Sequence, residues 1–122
     1  MQPNPPHLDN PDIFDATHLT SQFTDDEALC EEIIRVMLEE LPIHLKHLAH
    51  AVETRDVALA HRTVHSLKGA AANIGARELR QAAAQLETAL AQGQLSDDTP
   101  ALLMTVEQAS ERLRSLLEAR GI

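Results

Sequence analysis

The sequence predicts an all-α protein, an antiparallel up-down-up-down four-helix bundle with a short extra helix at its N-terminal end. Apolar residues recur at alternating spacings of three and four along most of the chain, which is the pattern of one buried helix face. Leu and Ala supply 18 residues each of the 122, whereas aromatic residues make up only 2%. A core built from Leu and Ala is typical of packed helices, whereas β-branched and aromatic residues are favoured in sheets.

The N-terminal part of the chain divides into a leader and the start of the bundle. Residues 1–12 contain four prolines and are predicted to be a disordered leader or linker, and residues 13–122 are predicted to form the bundle domain. A short helix is expected from Asp15 to Ser21. The next helix is expected to begin with a capping box, in which Thr24 caps and Glu27 lies three residues later.

The first long helix carries an apolar stripe that runs past a proline. Pro42 removes one backbone hydrogen bond and clashes with the carbonyl of Leu38, which predicts a kink or a break. Because the stripe continues beyond Pro42, a kink is favoured over a break. The stripe consists of Ile34, Leu38, Leu41, Leu45, Leu48 and Val52.

The three remaining helices follow in quick succession. The second is expected to be capped by Asp56, or alternatively by Thr54, and to end at Gly75 as a C-cap glycine. The tight connection at Gly75 predicts a helical hairpin with the third helix, which Gly93 ends. The predicted inward residues are Val57, Ala60, Val64, Leu67, Ala71 and Ile74, then Leu79, Ala82, Ala83, Leu86 and Leu90. The last helix, with Pro100 suited to its first turn, buries Leu102, Val106, Ala109, Leu113 and Leu116 and ends near Arg120.

His65 lies on the second helix at about 130° from the centre of its apolar stripe, so it is expected at the rim or in solvent. Its neighbours on the helical wheel are His61, Lys68, Gly69 and Ala72. A neutral imidazole is a nucleophile near neutral pH, and Lys68 one turn on can reach a phosphoryl group bound to it. Gly69 costs about 1 kcal/mol relative to Ala in a helix, which favours close approach by a partner. The alternatives are an ordinary solvated helix face and a glycine that permits helix packing.

The run from His65 to Ala76 reads His-Ser-Leu-Lys-Gly-Ala-Ala-Ala-Asn-Ile-Gly-Ala. It resembles the signature of histidine-containing phosphotransfer (HPt) domains, His-x-[Leu/Ile]-Lys-Gly followed by two small residues and a later aliphatic-Gly pair. The resemblance extends from about Phe14 and weakens after Gly93. It implies that His65 is the phosphoacceptor and that Lys68 stabilises the phosphate. The docking surface for a partner then comprises His61, Arg62, Gly69 and Ala72.

The resemblance implies a phosphorelay intermediate rather than an enzyme. His65 would accept a phosphoryl group on Nε2 from a receiver-domain aspartyl phosphate and pass it to the Asp of another receiver. The expected partners are response-regulator receiver domains, a hybrid sensor histidine kinase, or both, and the chain is expected to be a monomer. No cofactor is expected on this chain, since the receiver would hold the Mg²⁺. The alternative is a non-catalytic helical adaptor that binds a partner through the same face.

One position departs from the family pattern. Some members have a Gln near the phosphohistidine on the next helix, where this chain has Glu87, with Gln85 close by. A carboxylate there would not stabilise a phosphate, so the sequence leaves this contact open.

Composition excludes several other classes of function. The net charge of −9 argues against binding nucleic acid or an anionic membrane surface. Cys30 is the only cysteine, so no internal disulfide is possible, and a cytoplasmic location is expected. The chain has no apolar run long enough to span a membrane. His44 and His47, and likewise His61 and His65, have spacings that can hold a metal, but no Cys and no HExxH motif accompany them, so no metal site is expected. His61 is the rival to His65 as phosphoacceptor, but it lacks the Lys-Gly pair that follows His65, so a flanking role is expected for it.

Overall fold

The computed structural model describes residues 10–15 and 26–121. Within these residues the chain forms four helices and no strand. They are α1 (Glu27–Glu53), α2 (Val57–Ile74), α3 (Arg77–Leu90) and α4 (Thr99–Ala119). Apart from Asp15, the predicted short N-terminal helix lies outside the described residues, as does most of the predicted leader.

The helices pack in the order in which they occur in the chain. Each approaches the next one, and α4 returns to approach α1, with Cα atoms within 8 Å, whereas the diagonal pairs α1/α3 and α2/α4 have no Cα atoms that close. The short connections at 54–56 and 75–76 force consecutive helices to run in opposite directions. The predicted up-down-up-down bundle is therefore confirmed, and α2 and α3 form a hairpin along one side of it.

The core between the helices is built mainly from leucine and alanine, as the composition predicts. On α2, five of the six predicted stripe residues are fully buried, and only Val57 at the first position is half-buried. On α1 and α4, the stripe residues nearest the rim are half-buried, namely Leu38, Leu45, Val52 and Leu102. Cys30 is buried and packs as a small apolar residue. No helix in the described ranges is long and apolar enough to cross a bilayer.

The start of α1 differs from the sequence prediction. The helix begins at Glu27, and its N-cap is Asp26, whose Oδ1 accepts a hydrogen bond from Leu29 N at 3.2 Å. The prediction that Thr24 caps this helix is therefore wrong. An Asp carboxylate accepts the free N–H groups as well as a Thr hydroxyl does, and its charge also suits the positive end of the helix dipole. Farther along, α1 continues through Pro42 without a break.

The connection between α2 and α3 is held in place by the N-terminal segment. Gly75 ends α2 with φ of 80°, a left-handed conformation that favours glycine. Its carbonyl accepts a hydrogen bond from Asp15 N at 2.9 Å, and Glu78 N at the start of α3 donates to Asp12 O at 2.7 Å. Ile13 and Phe14, between these two contacts, are buried in the core. The N-cap of α2 is Asp56, as predicted, with Leu59 N donating to its carboxylate at 3.1 Å.

Candidate functional site

His65 stands in the middle of α2 on the face turned away from the core. Its side chain is 66% exposed, whereas the neighbouring Val64 and Leu67 are fully buried. The predicted position of His65 at the rim of the bundle is therefore confirmed. Burial of the opposite side of α2 holds this histidine on a rigid element rather than on a loop.

The ring of His65 is held from α3 by a carboxylate. Glu87 contacts His65 Nδ1 with Oε2 and Lys68 Nζ with Oε1, so one carboxylate bridges the two side chains. The Glu87 side chain is only 14% exposed, and Lys68 is 31% exposed. Because a carboxylate only accepts hydrogen bonds, Nδ1 of His65 carries the proton, and in the neutral ring Nε2 is left with a free lone pair.

The charge on Glu87 is stabilised by this arrangement. The hydrogen bond from Lys68 lowers the pKa of the Glu87 carboxyl below its ordinary value, and the contact with His65 acts in the same direction. Partial burial opposes the shift because it disfavours the charged form. The lowered pKa means that Glu87 is ionised near neutral pH and acts as an acceptor toward both neighbours.

The hairpin explains why these residues meet. His65 lies ten residues before Gly75, and Glu87 lies eleven residues after Ala76. Both helices rise by about 1.5 Å per residue, so positions equally distant from a tight turn stand at the same level. The family resemblance puts Glu87 near the phosphoacceptor but leaves its contact open, and the structure shows that Glu87 contacts His65 itself. The turn predicted at Gly75 could have revealed this contact, because it brings residues equally distant from it to the same level.

Gly69 provides open space beside His65. The residue is exposed, and a Cβ added there would meet no atom within 4 Å. Close packing between helices is therefore not the reason for a glycine at this position. A glycine at this position instead leaves room outside the bundle for an approaching molecule.

The other residues of the predicted docking surface extend along the same side of α2. Arg62 is exposed, whereas His61 and Ala72 are half-buried. His61 and Arg62 line a depression of about 540 Å³, and Ala72 lines another of about 530 Å³. The structure thus places His65 and Gly69 between two shallow depressions. Gln85, the other residue noted near Glu87, is exposed on α3.

The other histidines that the structure describes are not grouped as metal ligands. In residues 10–15 and 26–121, no three His, Cys, Asp or Glu side chains come together in a way that could hold a metal ion. His44 on α1 lies 3.9 Å from Glu40 one turn earlier, which is an ordinary contact on a helix surface.

Comparison with known proteins agrees with this architecture. The family model for the Hpt domain matches residues 32–119. No curated protein sequence matches the chain. Among solved structures, the HPT domain from the Hpt sensor hybrid histidine kinase from Shewanella is similar with a TM-score of 0.71. The two share 20% sequence identity, and the match covers 90% of this chain and 97% of that one, which shows a shared fold. Because the family model spans nearly all of the bundle, the chain belongs to the Hpt domain family, whose members in general mediate histidine phosphotransfer in two-component phosphorelays.

Proposed function

We propose that this chain is a phosphorelay intermediate that accepts a phosphoryl group on His65 from a receiver-domain aspartyl phosphate and donates it to another receiver Asp. The observation that carries the proposal is the contact between Glu87 and His65 Nδ1. It fixes the proton on the inner nitrogen of an exposed ring and leaves Nε2 as the nucleophile. Membership of the Hpt domain family supports the same chemistry.

In the proposed transfer, every bond that forms is matched by one that breaks, and His65 does not lose a proton. The Nε2 lone pair forms the new N–P bond, and the P–O bond to the aspartate breaks with its electron pair passing to the carboxylate. Nδ1 keeps its proton throughout, so the ring becomes positively charged as the bond forms. In the donation step, the carboxylate of the second receiver attacks phosphorus, and the N–P electron pair returns to Nε2.

Glu87 and Lys68 have distinct parts in this scheme. Glu87 is a positioning residue, because it orients the ring and offsets the positive charge that develops on it during attack. Lys68 stands one turn from His65, and its ammonium can exchange from Glu87 to a phosphoryl oxygen. The carboxylate contacts the nitrogen that does not receive the phosphate, so it need not repel the incoming group directly.

In this proposal, the partner receiver supplies the metal ion and most of the catalytic groups. The phosphorylated receiver would hold the Mg²⁺ and most of the catalytic groups, while this chain contributes the nucleophile and an open face at Gly69. The chain would then act as a cytoplasmic monomer with no cofactor of its own, with its bundle domain over residues 13–122. It would serve response-regulator receivers, a hybrid sensor kinase, or both.

Replacement of the nucleophile tests the proposal. His65→Gln should abolish phosphoryl acceptance from a phosphorylated receiver while the helical content stays unchanged, because the exposed side chain adds little to the core. His61→Gln, one turn earlier on α2, is the matched control and should still accept phosphate. The measurement is receiver-dependent phosphorylation followed by mapping of an acid-labile, base-stable phosphate.

The outcomes of this experiment separate the alternatives. Full phosphorylation of His65→Gln would refute the assignment of the site, and loss of phosphate only in His61→Gln would move it by one turn. A wild-type chain that binds receivers but never becomes phosphorylated would favour the non-catalytic adaptor.

A further inference from the structure

Charge is unevenly distributed over the bundle. Residues 57–90, which contain α2 and α3, hold four basic and two acidic side chains, for a net charge of +2. Because the whole chain carries −9, the remainder carries −11. The helix that bears His65 contains no Asp or Glu at all. Helices α2 and α3 therefore carry a net positive charge on an otherwise acidic protein.

Both acidic side chains within residues 57–90 are already paired. Glu87 bridges His65 and Lys68, and Glu78 pairs with Arg112 on α4, away from α2. In contrast, Arg62, Arg77 and Arg80 are exposed. In the part of the chain that the structure describes, none of these three guanidinium groups forms a side-chain hydrogen bond or an ion pair. The positive charge of α2 and α3 is therefore available to a partner.

The unpaired arginines lie on both sides of His65. Arg62 lines the depression of about 540 Å³ at the first turns of α2, together with the apolar side chains of Val57 and Leu90. Arg77 and Arg80 line the depression of about 530 Å³ at the other end of α2, where Asp15 also contributes to the wall. His61 and Ala72, one in each depression, are eleven residues apart, or about 16 Å along the helix.

We infer that the receiver surface that docks on His65 is acidic on both sides of its aspartyl phosphate, with one patch facing Arg62 and the other facing Arg77 and Arg80. The inference rests on the proposed function and specifies the chemistry of the partner. The acidic remainder of the chain repels such a surface, so the partner is steered to α2 and α3 in the orientation that brings phosphorus to Nε2.

Charge reversal tests this inference. Arg62→Glu and Arg77→Glu should each lower kcat/KM for phosphoryl transfer from a phosphorylated receiver by about tenfold at low salt, because rim charges govern the association rate. The rate at saturating receiver should change by less than about twofold, since neither arginine touches the reacting atoms. The matched control is Lys46→Glu on α1, an exposed cation with the same change of charge, which should leave kcat/KM unaltered.

Ionic strength provides a second readout. The wild-type kcat/KM should fall steeply as salt rises, and the double variant Arg62→Glu, Arg77→Glu should lose most of this dependence. Charge reversals that behave like Lys46→Glu would overturn the inference, as would an equal loss at saturating receiver. Wild-type transfer to His65 in that experiment would leave the proposed function intact. A wild-type chain that accepts no phosphate from any receiver would refute both.

Discussion

At the scale of single residues, the contact of Glu87 with both His65 and Lys68 is the feature that gives the site its chemistry. An exposed imidazole alone exchanges its proton between the two ring nitrogens, and neither tautomer is fixed. The carboxylate favours the Nδ1–H tautomer, and its charge lies where positive charge would develop on the ring in the proposed transfer. In the proposed transfer, the negative charge of Glu87 would therefore offset the main electrostatic change on the ring.

Replacement of Glu87 by Gln should slow transfer without preventing it. The amide keeps a hydrogen-bond acceptor for Nδ1 but removes the negative charge, so we expect a rate at saturating receiver lower by about tenfold. Glu78→Gln is the matched control, because it removes a carboxylate on the same helix that pairs with Arg112 instead of His65. Single-turnover transfer measures both rates. Equal rates for Glu87→Gln and Glu78→Gln would show that the charge of Glu87 has no part in transfer.

At the scale of secondary-structure elements, α2 combines a packed inner face with an outer face on which Gly69 leaves open space beside His65. Gly69→Ala should stabilise the protein by about 0.5–1 kcal/mol, because alanine favours the helix and its Cβ meets only open space. Gly69→Gln should instead slow transfer by about tenfold, because a long side chain obstructs docking beside His65. Chemical denaturation and single-turnover transfer measure the two effects. Unchanged transfer by Gly69→Gln would remove the argument for close approach.

The same elements show how far sequence patterns reach. The spacing of apolar residues predicted the buried faces of α2 and α3, because burial on one side of a helix imposes a period of 3.6 residues. The pattern could not decide which polar residue caps α1, since Thr24 and Asp26 both satisfy the chemistry of an N-cap. The spacing of apolar residues within one helix also does not indicate which polar side chains of two helices are in contact. The pairing of His65 with Glu87 depends on the register of the hairpin, which Gly75 and the N-terminal segment set together.

At the scale of the whole molecule, the site also connects the two helices that carry it. Glu87 belongs to α3, whereas both of its partners belong to α2, so its ionisation contributes to the free energy of unfolding of the bundle. The pKa of Glu87 is lowered from 4.5 in the folded state, chiefly by the hydrogen bond from Lys68. The folded state therefore binds fewer protons than the unfolded state as the pH passes through this range.

Because the pKa of Glu87 is lower in the folded state, its ionisation makes the free energy of unfolding rise with pH. The contribution of Glu87 is fully present above its ordinary pKa of 4.5 and is lost as the pH falls through the lowered value of the folded state. Wild type should exceed Glu87→Gln in free energy of unfolding by about 1 kcal/mol at pH 7, and this difference should approach zero well below pH 4.5. Denaturant titrations of both proteins across this range measure it. A difference that stays constant as the pH falls would mean that the carboxylate stabilises the hairpin through packing rather than through its charge.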